Sequence, residues 1–337
     1  MISKACLKLS VCFVFLSGII LAGLGQALAA EYKLTLASIV PFESTMGLAA
    51  KEFKKNVEER TRGAVSIELA FAGVLGGDRE IVEQCKLGML DMVFSSEIGY
   101  STVIKAVGFA AMPYLFETYE DADKLFFNGF IGEEFKKRLL KGGNIRLLSW
   151  GENDFRALTN NKRPIRELKD LRGLKIRTPE FPMLISFFRN LGALPTPIPY
   201  PELFVALQQG TVDGQDNGVN ATYYTRLYEV QKYYTFTNHL YSSVGIGVSE
   251  KKWAQLPPDL QKIITEEAEK AGWYQIKLNR RQAQEFIKKM KDRGMQFSEL
   301  SPEAKVGFRE AAVKVWNEFK PVYGDKLVDQ IIAGRNK

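Results

Sequence analysis

The fold of this chain is decided by the segment YKLTLAS at residues 32–38 and by the pattern that follows it. Apolar and polar side chains alternate in this segment, which predicts a β-strand with one buried face. A helix is then predicted over residues 46–58, where apolar side chains recur every three to four positions, and a second strand over residues 65–71. Asp78 is predicted to be the N-cap of a second helix that Gly88 ends. Strands and helices therefore alternate from the first element onward.

The same alternation continues through the middle of the chain. It is typical of an open α/β sheet with helices packed on its faces. In sheets of this kind, a ligand binds in the crevice beyond the carboxyl ends of the strands. Further strands are predicted at residues 89–94, 146–150, 174–177 and 244–248, and a further helix at residues 182–191.

Residues 259–292 predict one long helix. They contain no proline and a single glycine, Gly272, and their apolar side chains keep the spacing of three to four. At a rise of 1.5 Å per residue such a helix is about 50 Å long, which is more than one small lobe can cover. We therefore expect it to run along two lobes. No linker rich in Gly, Ser or Pro divides the sequence, so the chain is expected to pass between the lobes more than once.

Composition narrows the range of functions. Of the 337 residues, 46% are hydrophobic and 25% are charged, which is ample for a buried core. The net charge of +7 is not gathered into a basic run, so nucleic-acid binding is disfavoured. A single histidine, His239, and three cysteines leave little material for a metal site or a nucleophile triad. We therefore predict no catalytic residue, no metal and no cofactor.

The common catalytic motifs give the same result. The nucleophile elbow, the phosphate loop and the dinucleotide fingerprint are absent from the sequence. His239 is predicted to be a structural hydrogen-bonding residue, because catalytic histidines work with an oriented partner that the sequence does not place. A general base is the alternative for this residue.

The N-terminal segment has the features of a secretory signal. Two lysines precede an apolar run at residues 11–24, and a small-x-small sequence follows it. We predict that residues 1–29 form a signal peptide, with cleavage after Ala29, or after Ala30 as the alternative. A bilayer span needs about 20 apolar residues, so the shorter run disfavours a membrane anchor. Cys12 lies before most of the apolar run, which disfavours a lipoprotein.

Export changes the cysteine count of the mature chain. Cleavage removes two of the three cysteines, so Cys85 has no intrachain disulfide partner. It lies in a helical segment, and free cysteine is among the most buried residue types. We therefore predict that Cys85 is a packed side chain and not a reactive thiol.

Polar side chains follow several predicted strands and are candidates for a ligand crevice. Arg177 ends an apolar strand, and a guanidinium there could hold a carboxylate through two parallel hydrogen bonds, which lysine cannot imitate. A surface salt bridge is the alternative, and position alone does not decide between the two. Asp213 precedes a glycine and is predicted to be a turn residue. The full set of polar candidates for the ligand crevice is Ser38, Ser95, Ser96, Glu97, Glu152, Asn153, Arg156, Arg177, Asp213, Gln215, Asp216 and Asn217.

Three blocks of sequence resemble the solute-binding proteins of tripartite ATP-independent periplasmic (TRAP) transporters. They are GLKIRTP at residues 173–179, LGALPTP at residues 191–197 and ALQQGTVDGQDN at residues 206–217. These blocks, at these separations, are similar to the signature of that family. Weaker matches extend the resemblance over most of the mature chain, at residues 75–79, 155–160, 237–240 and 253–257.

The resemblance implies a two-lobed α/β periplasmic-binding-protein fold with one long helix along both lobes. On this basis we assign residues 30–153 and 243–282 to lobe I, and residues 154–242 and 283–337 to lobe II, with the ligand cleft between them. The resemblance also implies that the protein binds an organic acid without turning it over. It would act in the periplasm, as a monomer, and deliver the acid to an ion-gradient-driven membrane permease.

Site residues follow from the resemblance position by position. The selectivity-filter arginine of the family falls on Arg177, a second ligand-side arginine on Arg156 and a carboxylate-contacting asparagine on Asn217. Asp78 matches a position that touches hydroxyl or amino groups in some members, although it is also predicted to be an N-cap. Ser96 stands where sialate-binding members carry a glutamate, which disfavours sialic acid.

The identity of the ligand stays open at this point. Asp78, Glu97 and Asn153 suit a hydroxylated acid such as a hexuronate or an aldonate, whereas Arg156 could take the second carboxylate of a C4-dicarboxylate. A subunit that presents ligand to a membrane sensor is a second function compatible with the sequence. A secreted enzyme acting on sugar acids is a third, with Asp78, Glu97 and Asp216 as its acid and base.

Overall fold

The structure of the protein is a computed structural model that describes residues 31–335. The predicted signal peptide, with both of its cleavage positions, lies outside the described residues. Within residues 31–335, no helix combines the length and the apolar character that crossing a bilayer requires.

The described chain forms one sheet of nine strands. The strands are β1 (Tyr32–Ala37), β2 (Val65–Ala70), β3 (Met92–Ser96), β4 (Ile145–Asn160), β5 (Lys175–Thr178), β6 (Leu194–Pro197), β7 (Gly214–Asn217), β8 (Tyr233–Ser249) and β9 (Gln296–Glu299). Their order is β2-β1-β3-β8-β4-β7-β5-β6, and β9 pairs with β8.

Helices cover the sheet. They are α1 (Thr45–Arg60), α2 (Asp78–Leu87), α3 (Glu97–Val103), α4 (Tyr119–Ala122), α5 (Phe130–Gly143), α6 (Pro182–Asn190), α7 (Leu203–Gln208), α8 (Val219–Tyr224), α9 (Glu250–Trp253), α10 (Pro258–Asp292), α11 (Pro302–Tyr323) and α12 (Asp325–Arg335). The predicted alternation of strands and helices is confirmed.

Two long antiparallel strands, β4 and β8, join the two halves of the sheet. β8 pairs with β3 in one half, and β4 pairs with β7 in the other. Within each half the remaining strands are parallel, β2-β1-β3 on one side and β7-β5-β6 on the other. The sequence predicted only short parts of β4 and β8, because their central residues are polar and do not have the pattern of a buried strand.

The pairing of β4 with β8 is irregular near its middle. Glu152 is opposite Ser243 and Asp154 is opposite Ser242, with a shift of register between these two pairs. Asp154 has a φ of 81°, in the left-handed region that non-glycine residues seldom adopt. The lobe boundaries expected from the sequence, at 153/154 and 242/243, fall at this irregularity. The division of the chain into lobes stays a prediction.

The long helix α10 packs into both halves of the molecule, as the sequence predicts. Its first half contributes Ile264 to a core that contains Phe53 of α1. Its second half contributes Phe286 to a separate core with Val219 of α8 and Tyr234 of β8. The helix thus fixes the two halves of the sheet relative to one another on one side.

Two further predictions have clear outcomes. Cys85 is fully buried, and burial raises the pKa of its thiol, so the prediction of a packed side chain is confirmed. Asp78 is not the N-cap of α2, because that position is taken by Gly77 in an extended conformation, without a side-chain cap. Gly88 ends the helix in a left-handed conformation, as predicted.

Candidate ligand-binding site

A cavity opens where the carboxyl ends of β3, β5 and β7 meet the middle of β4. Its empty volume, which includes open solvent at the mouth, is about 540 Å³. Apolar side chains form part of its wall, among them Met46, Phe94 and Val244. Six of the seven residues predicted for the site line it: Asp78, Ser96, Asn153, Arg156, Arg177 and Asn217.

Arg177 is a buried cation that faces this cavity. It lies on β5 and is 2% exposed. Its Nε donates a hydrogen bond to the backbone carbonyl of Ile198 at 2.8 Å, and its guanidinium lies 5.8 Å from the ring centre of Tyr200. Burial, together with the nearby charge of Arg156, lowers its pKa to about 10.

No carboxylate among residues 31–335 lies within ion-pair distance of Arg177. The sequence left a surface salt bridge as the alternative for Arg177, and the described residues form no such salt bridge. The two terminal nitrogens of the guanidinium have no hydrogen-bond partner in the described part of the chain. A ligand carboxylate that entered the cavity would find two donors in the fork that such a group accepts.

Arg156 is also buried, but it carries its own counter-ion. Its Nε donates to Oδ2 of Asp216 at 2.7 Å, and a terminal nitrogen donates to the backbone carbonyl of Asp216 at 2.6 Å. Burial disfavours an ionised carboxyl, but the charge of Arg156 and the hydrogen bond from His239 outweigh it and lower the pKa of Asp216 to about 2. Arg156 therefore has a counter-ion within the protein, whereas Arg177 has none among the described residues.

His239 supports Asp216 from behind. Its Nε2 lies 3.2 Å from Oδ2 of Asp216, and its Nδ1 lies 2.7 Å from the hydroxyl of Thr237. The ring stacks on Phe187, and burial lowers the pKa of the imidazole. A neutral ring that donates from Nε2 can accept from Thr237 at Nδ1. These contacts agree with the structural role predicted for His239.

Asp78 lines the cavity from the start of α2. Its Oδ1 accepts a hydrogen bond of 2.6 Å from the hydroxyl of Ser95, one residue before Ser96. Burial raises the pKa of Asp78, although the hydrogen bond from Ser95 and the charges of Arg177 and Arg156 oppose that shift. The carboxyl thus presents an acceptor on the side of the cavity that β3 forms.

Amide and hydroxyl groups complete the polar lining. The side-chain amide of Asn217 donates to Oε1 of Gln215 at 2.7 Å. The amide of Asn153 lies 3.4 Å from the hydroxyl of Ser242. Ser96 accepts from the backbone amide of Gly99 at 3.0 Å and so caps α3 while it lines the cavity.

Of the seven residues assigned to ligand contact, Glu97 alone does not line the cavity. Five of the wider set of crevice candidates do not line it either: Ser38, Glu152, Asp213, Gln215 and Asp216. Oε2 of Glu97 lies 3.2 Å from the hydroxyl of Ser242 and 3.3 Å from that of Ser243. Its Oε1 is buried without a hydrogen-bond partner. Burial raises its pKa to about 8, against the opposing effect of Arg156. Burial thus favours the neutral form of the Glu97 carboxyl, which lies behind the wall of the cavity.

Tyr200 was missed by sequence reasoning. It lines the cavity, faces the guanidinium of Arg177 and shares a hydrogen bond of 3.2 Å with the hydroxyl of Thr225. Its sequence neighbours are both prolines, so the segment resembled a loop without a functional role. Its position directly after the second signature block was the available signal.

Comparison with known proteins identifies the family. The family model described as bacterial extracellular solute-binding protein, family 7, matches residues 36–321. The 2,3-diketo-L-gulonate-binding periplasmic protein YiaO of Escherichia coli K12 is 32% identical over 249 residues, which are 74% of this chain and 75% of that protein.

Solved structures agree in fold over nearly their whole length. A TRAP periplasmic solute-binding protein from Polaromonas sp. JS666, bound to D-erythronate, has a TM-score of 0.84 at 33% identity and covers 89% of this chain and 98% of its own. The sugar acid binding protein DctPAm from Advenella mimigardefordensis, in complex with galactonate, has a TM-score of 0.87 at 27% identity and covers 91% and 99%. The chain that folds around Arg177 and Arg156 therefore belongs to the TRAP periplasmic solute-binding proteins, family 7 of the bacterial extracellular solute-binding proteins.

Proposed function

We propose that this binding protein captures a hydroxylated monocarboxylate, a sugar acid of the aldonate or hexuronate type, and holds its carboxylate on Arg177. The observation that carries the proposal is the state of Arg177, a buried guanidinium that faces the cavity with free terminal donors and has no ion-pair partner among residues 31–335. A buried charge is tolerated when it is paired and hydrogen-bonded. The ligand carboxylate supplies that pairing, and the amide of Asn217 is a further donor in reach of the cavity.

The charge balance of the cavity favours one carboxylate over two. Arg156 is neutralised by Asp216, so Arg177 is the cation left for a ligand. A second carboxylate on the ligand would meet the acidic side chain of Asp78 without a free cation to offset it. A C4-dicarboxylate is therefore the weaker candidate.

The remaining polar groups suit hydroxyls. Asp78 accepts hydrogen bonds, while Ser96 and Asn153 both accept and donate, and all three line the cavity. The ligands of the relatives named above, a diketogulonate, D-erythronate and galactonate, are acids that carry oxygen on most of their carbons. This agreement supports a sugar acid as the class of ligand.

Partners and location follow from the family. We propose that residues 1–29 direct export to the periplasm and are removed near Ala29, and that the mature protein is a monomer. It would deliver the closed, loaded form to the membrane permease of a TRAP transporter. The register shift between β4 and β8 supports the proposed division into lobe I (residues 30–153 and 243–282) and lobe II (residues 154–242 and 283–337).

A thermal-shift panel tests this function. The mature protein is heated with D-erythronate, D-galactonate, D-galacturonate or succinate, and any acid that shifts the transition is followed by calorimetry. A ligand at 100 times its Kd stabilises the folded state by about 2.7 kcal/mol. We expect at least one sugar acid to bind more tightly than succinate. Tighter binding of succinate, or no binding of any sugar acid, contradicts the proposal.

A further inference from the structure

A glycine-containing loop at residues 72–77, here named the glycine loop, projects from the end of β2 toward the cavity. Ala72, Gly73 and Gly76 have φ values of 58°, 70° and 111°, in the left-handed region. The amide of Ala72 donates to the carbonyl of Val40 at 2.9 Å, and that of Gly73 to the carbonyl of Ser38 at 3.2 Å. The loop is therefore anchored to the chain that follows β1 and cannot shift freely.

The glycine loop lies directly against residues 199–201, Pro-Tyr-Pro, here named the proline segment. A Cβ atom placed on Gly73 would lie 2.8 Å from Cγ of Pro201. A Cβ atom on Gly77 would lie 3.5 Å from Cβ of Pro199. The contact at Gly73 therefore leaves no room for a side chain, and a proline ring cannot rotate away as a flexible side chain can.

The proline segment is also tied to the ligand arginine. The carbonyl of Ile198, directly before the segment, accepts the hydrogen bond from Nε of Arg177. The ring of Tyr200 faces the same guanidinium. One short stretch of chain thus connects the cation expected to hold the ligand with the glycine loop on the other side of the cleft.

We propose that the glycine loop and the proline segment form a latch that holds the cleft closed and slows release of the bound acid. The inference rests on the proposed function and on the proposed lobes, since the loop belongs to lobe I and the segment to lobe II. Two surfaces on different lobes meet in this way only when the cleft is shut. Release of the ligand therefore has to break the contact between Gly73 and Pro201 first.

The test compares Gly73→Ala with Gly63→Ala. Gly63 has a φ of 84°, but a Cβ atom there would meet nothing within 4 Å. Both substitutions place alanine in a left-handed conformation, so both should lower the melting temperature of the ligand-free protein to a similar extent. Only the alanine at position 73 collides with Pro201.

Release is measured by stopped-flow competition, with the acid of the panel that stabilises wild type most. We expect Gly73→Ala to raise the dissociation rate on the order of tenfold, with a smaller change in the association rate. Gly63→Ala should stay close to wild type. Adding Pro201→Ala, which removes the colliding Cγ, should bring the release rate of Gly73→Ala back toward that of Pro201→Ala alone.

Equal release rates for the two glycine variants would overturn the latch, as would a Gly73→Ala effect that Pro201→Ala does not relieve. These results leave binding by wild type intact and so do not touch the proposed function. If wild type binds no acid of the panel, the proposed function fails first and the latch fails with it.

Discussion

Arg156 and Asp216 form a buried ion pair in which Nε of the arginine lies 2.7 Å from Oδ2 of the aspartate. This pair makes the two arginines of the cavity unequal, because the counter-ion of Arg156 is part of the protein, whereas Arg177 has no ion-pair partner among residues 31–335. The proposed preference for a single ligand carboxylate rests on this difference.

Replacing Asp216 with asparagine should lower the free energy of unfolding by about 3–5 kcal/mol, since it leaves Arg156 buried without its counter-ion. Urea unfolding followed by tryptophan fluorescence measures the change. Asp213→Asn is the matched control, because Asp213 lies directly before the same strand, is partly exposed and accepts from the backbone amide of Lys175. Equal stability of the two variants would show that the buried pair does not matter for folding.

The contribution of Asp216 to the free energy of unfolding should also depend on pH. Its pKa is about 2 in the folded protein and about 3.9 in an unfolded chain. A lowered pKa gives stability that is present above the unfolded value and is lost as the pH falls toward the folded value. The difference in stability between wild type and Asp216→Asn should therefore shrink between about pH 4 and pH 2. A difference that stays constant over this range would contradict the assignment.

Replacing Asp78 with asparagine should change the selectivity of the site. The substitution replaces the acidic group that a second ligand carboxylate would face with a neutral amide that can donate to it, so the affinity for succinate relative to D-galactonate should rise, on the order of tenfold. Calorimetry with both acids gives the ratio. Ser95→Ala is the control, because it removes the hydrogen bond to Asp78 and keeps the carboxyl group. An unchanged ratio in Asp78→Asn would place this carboxyl outside the recognition of the ligand.

The free energy of unfolding should show a second pH dependence, of opposite sign, that arises from Glu97. Its pKa is about 8 in the folded protein and about 4.3 when unfolded. A raised pKa gives stability that is complete below the unfolded value and is lost as the pH rises through the folded value. Wild type should therefore lose stability relative to Glu97→Gln as the pH rises from about 4 to about 8. Parallel stability curves for the two proteins would mean that Glu97 is ionised throughout. The groups around it are Arg156 and the hydroxyls of Ser242 and Ser243.

Much of the fold could be predicted from local pattern. The strands β1, β2, β3 and β5 and the long helix α10 carry a clear period of apolar residues, and these elements formed where expected. The parallel strands β6 and β7 were not predicted, because LPTP and GQDN have no such pattern. The middle of β4 was not predicted to be a strand, because Glu152 and Asn153 are polar residues at the crossing between the two halves. The side chain of Glu152 accepts hydrogen bonds from Tyr241 and Arg280, and that of Asn153 donates to Ser242. These partners are far along the chain, and local pattern does not record them.

The site, like the fold, could be predicted only in part from the sequence. Arg177 could be placed because it ends an apolar strand, but its lack of a counter-ion could not, since that depends on Asp216 approaching Arg156 from 60 positions away. Glu97 begins α3, and its contacts with Ser242 and Ser243 of β8 are about 145 positions away in sequence, so local pattern could not place it outside the cavity lining.

Calorimetric titration of Arg177→Lys with the sugar acid that wild type binds most tightly tests the central claim most directly. Lysine keeps the positive charge but cannot form the two parallel hydrogen bonds of a guanidinium. We predict a loss of about 2–5 kcal/mol of binding free energy, and at least as large a loss in Arg177→Ala. Affinity equal to wild type in Arg177→Lys would contradict the account of Arg177 as the group that holds the ligand carboxylate.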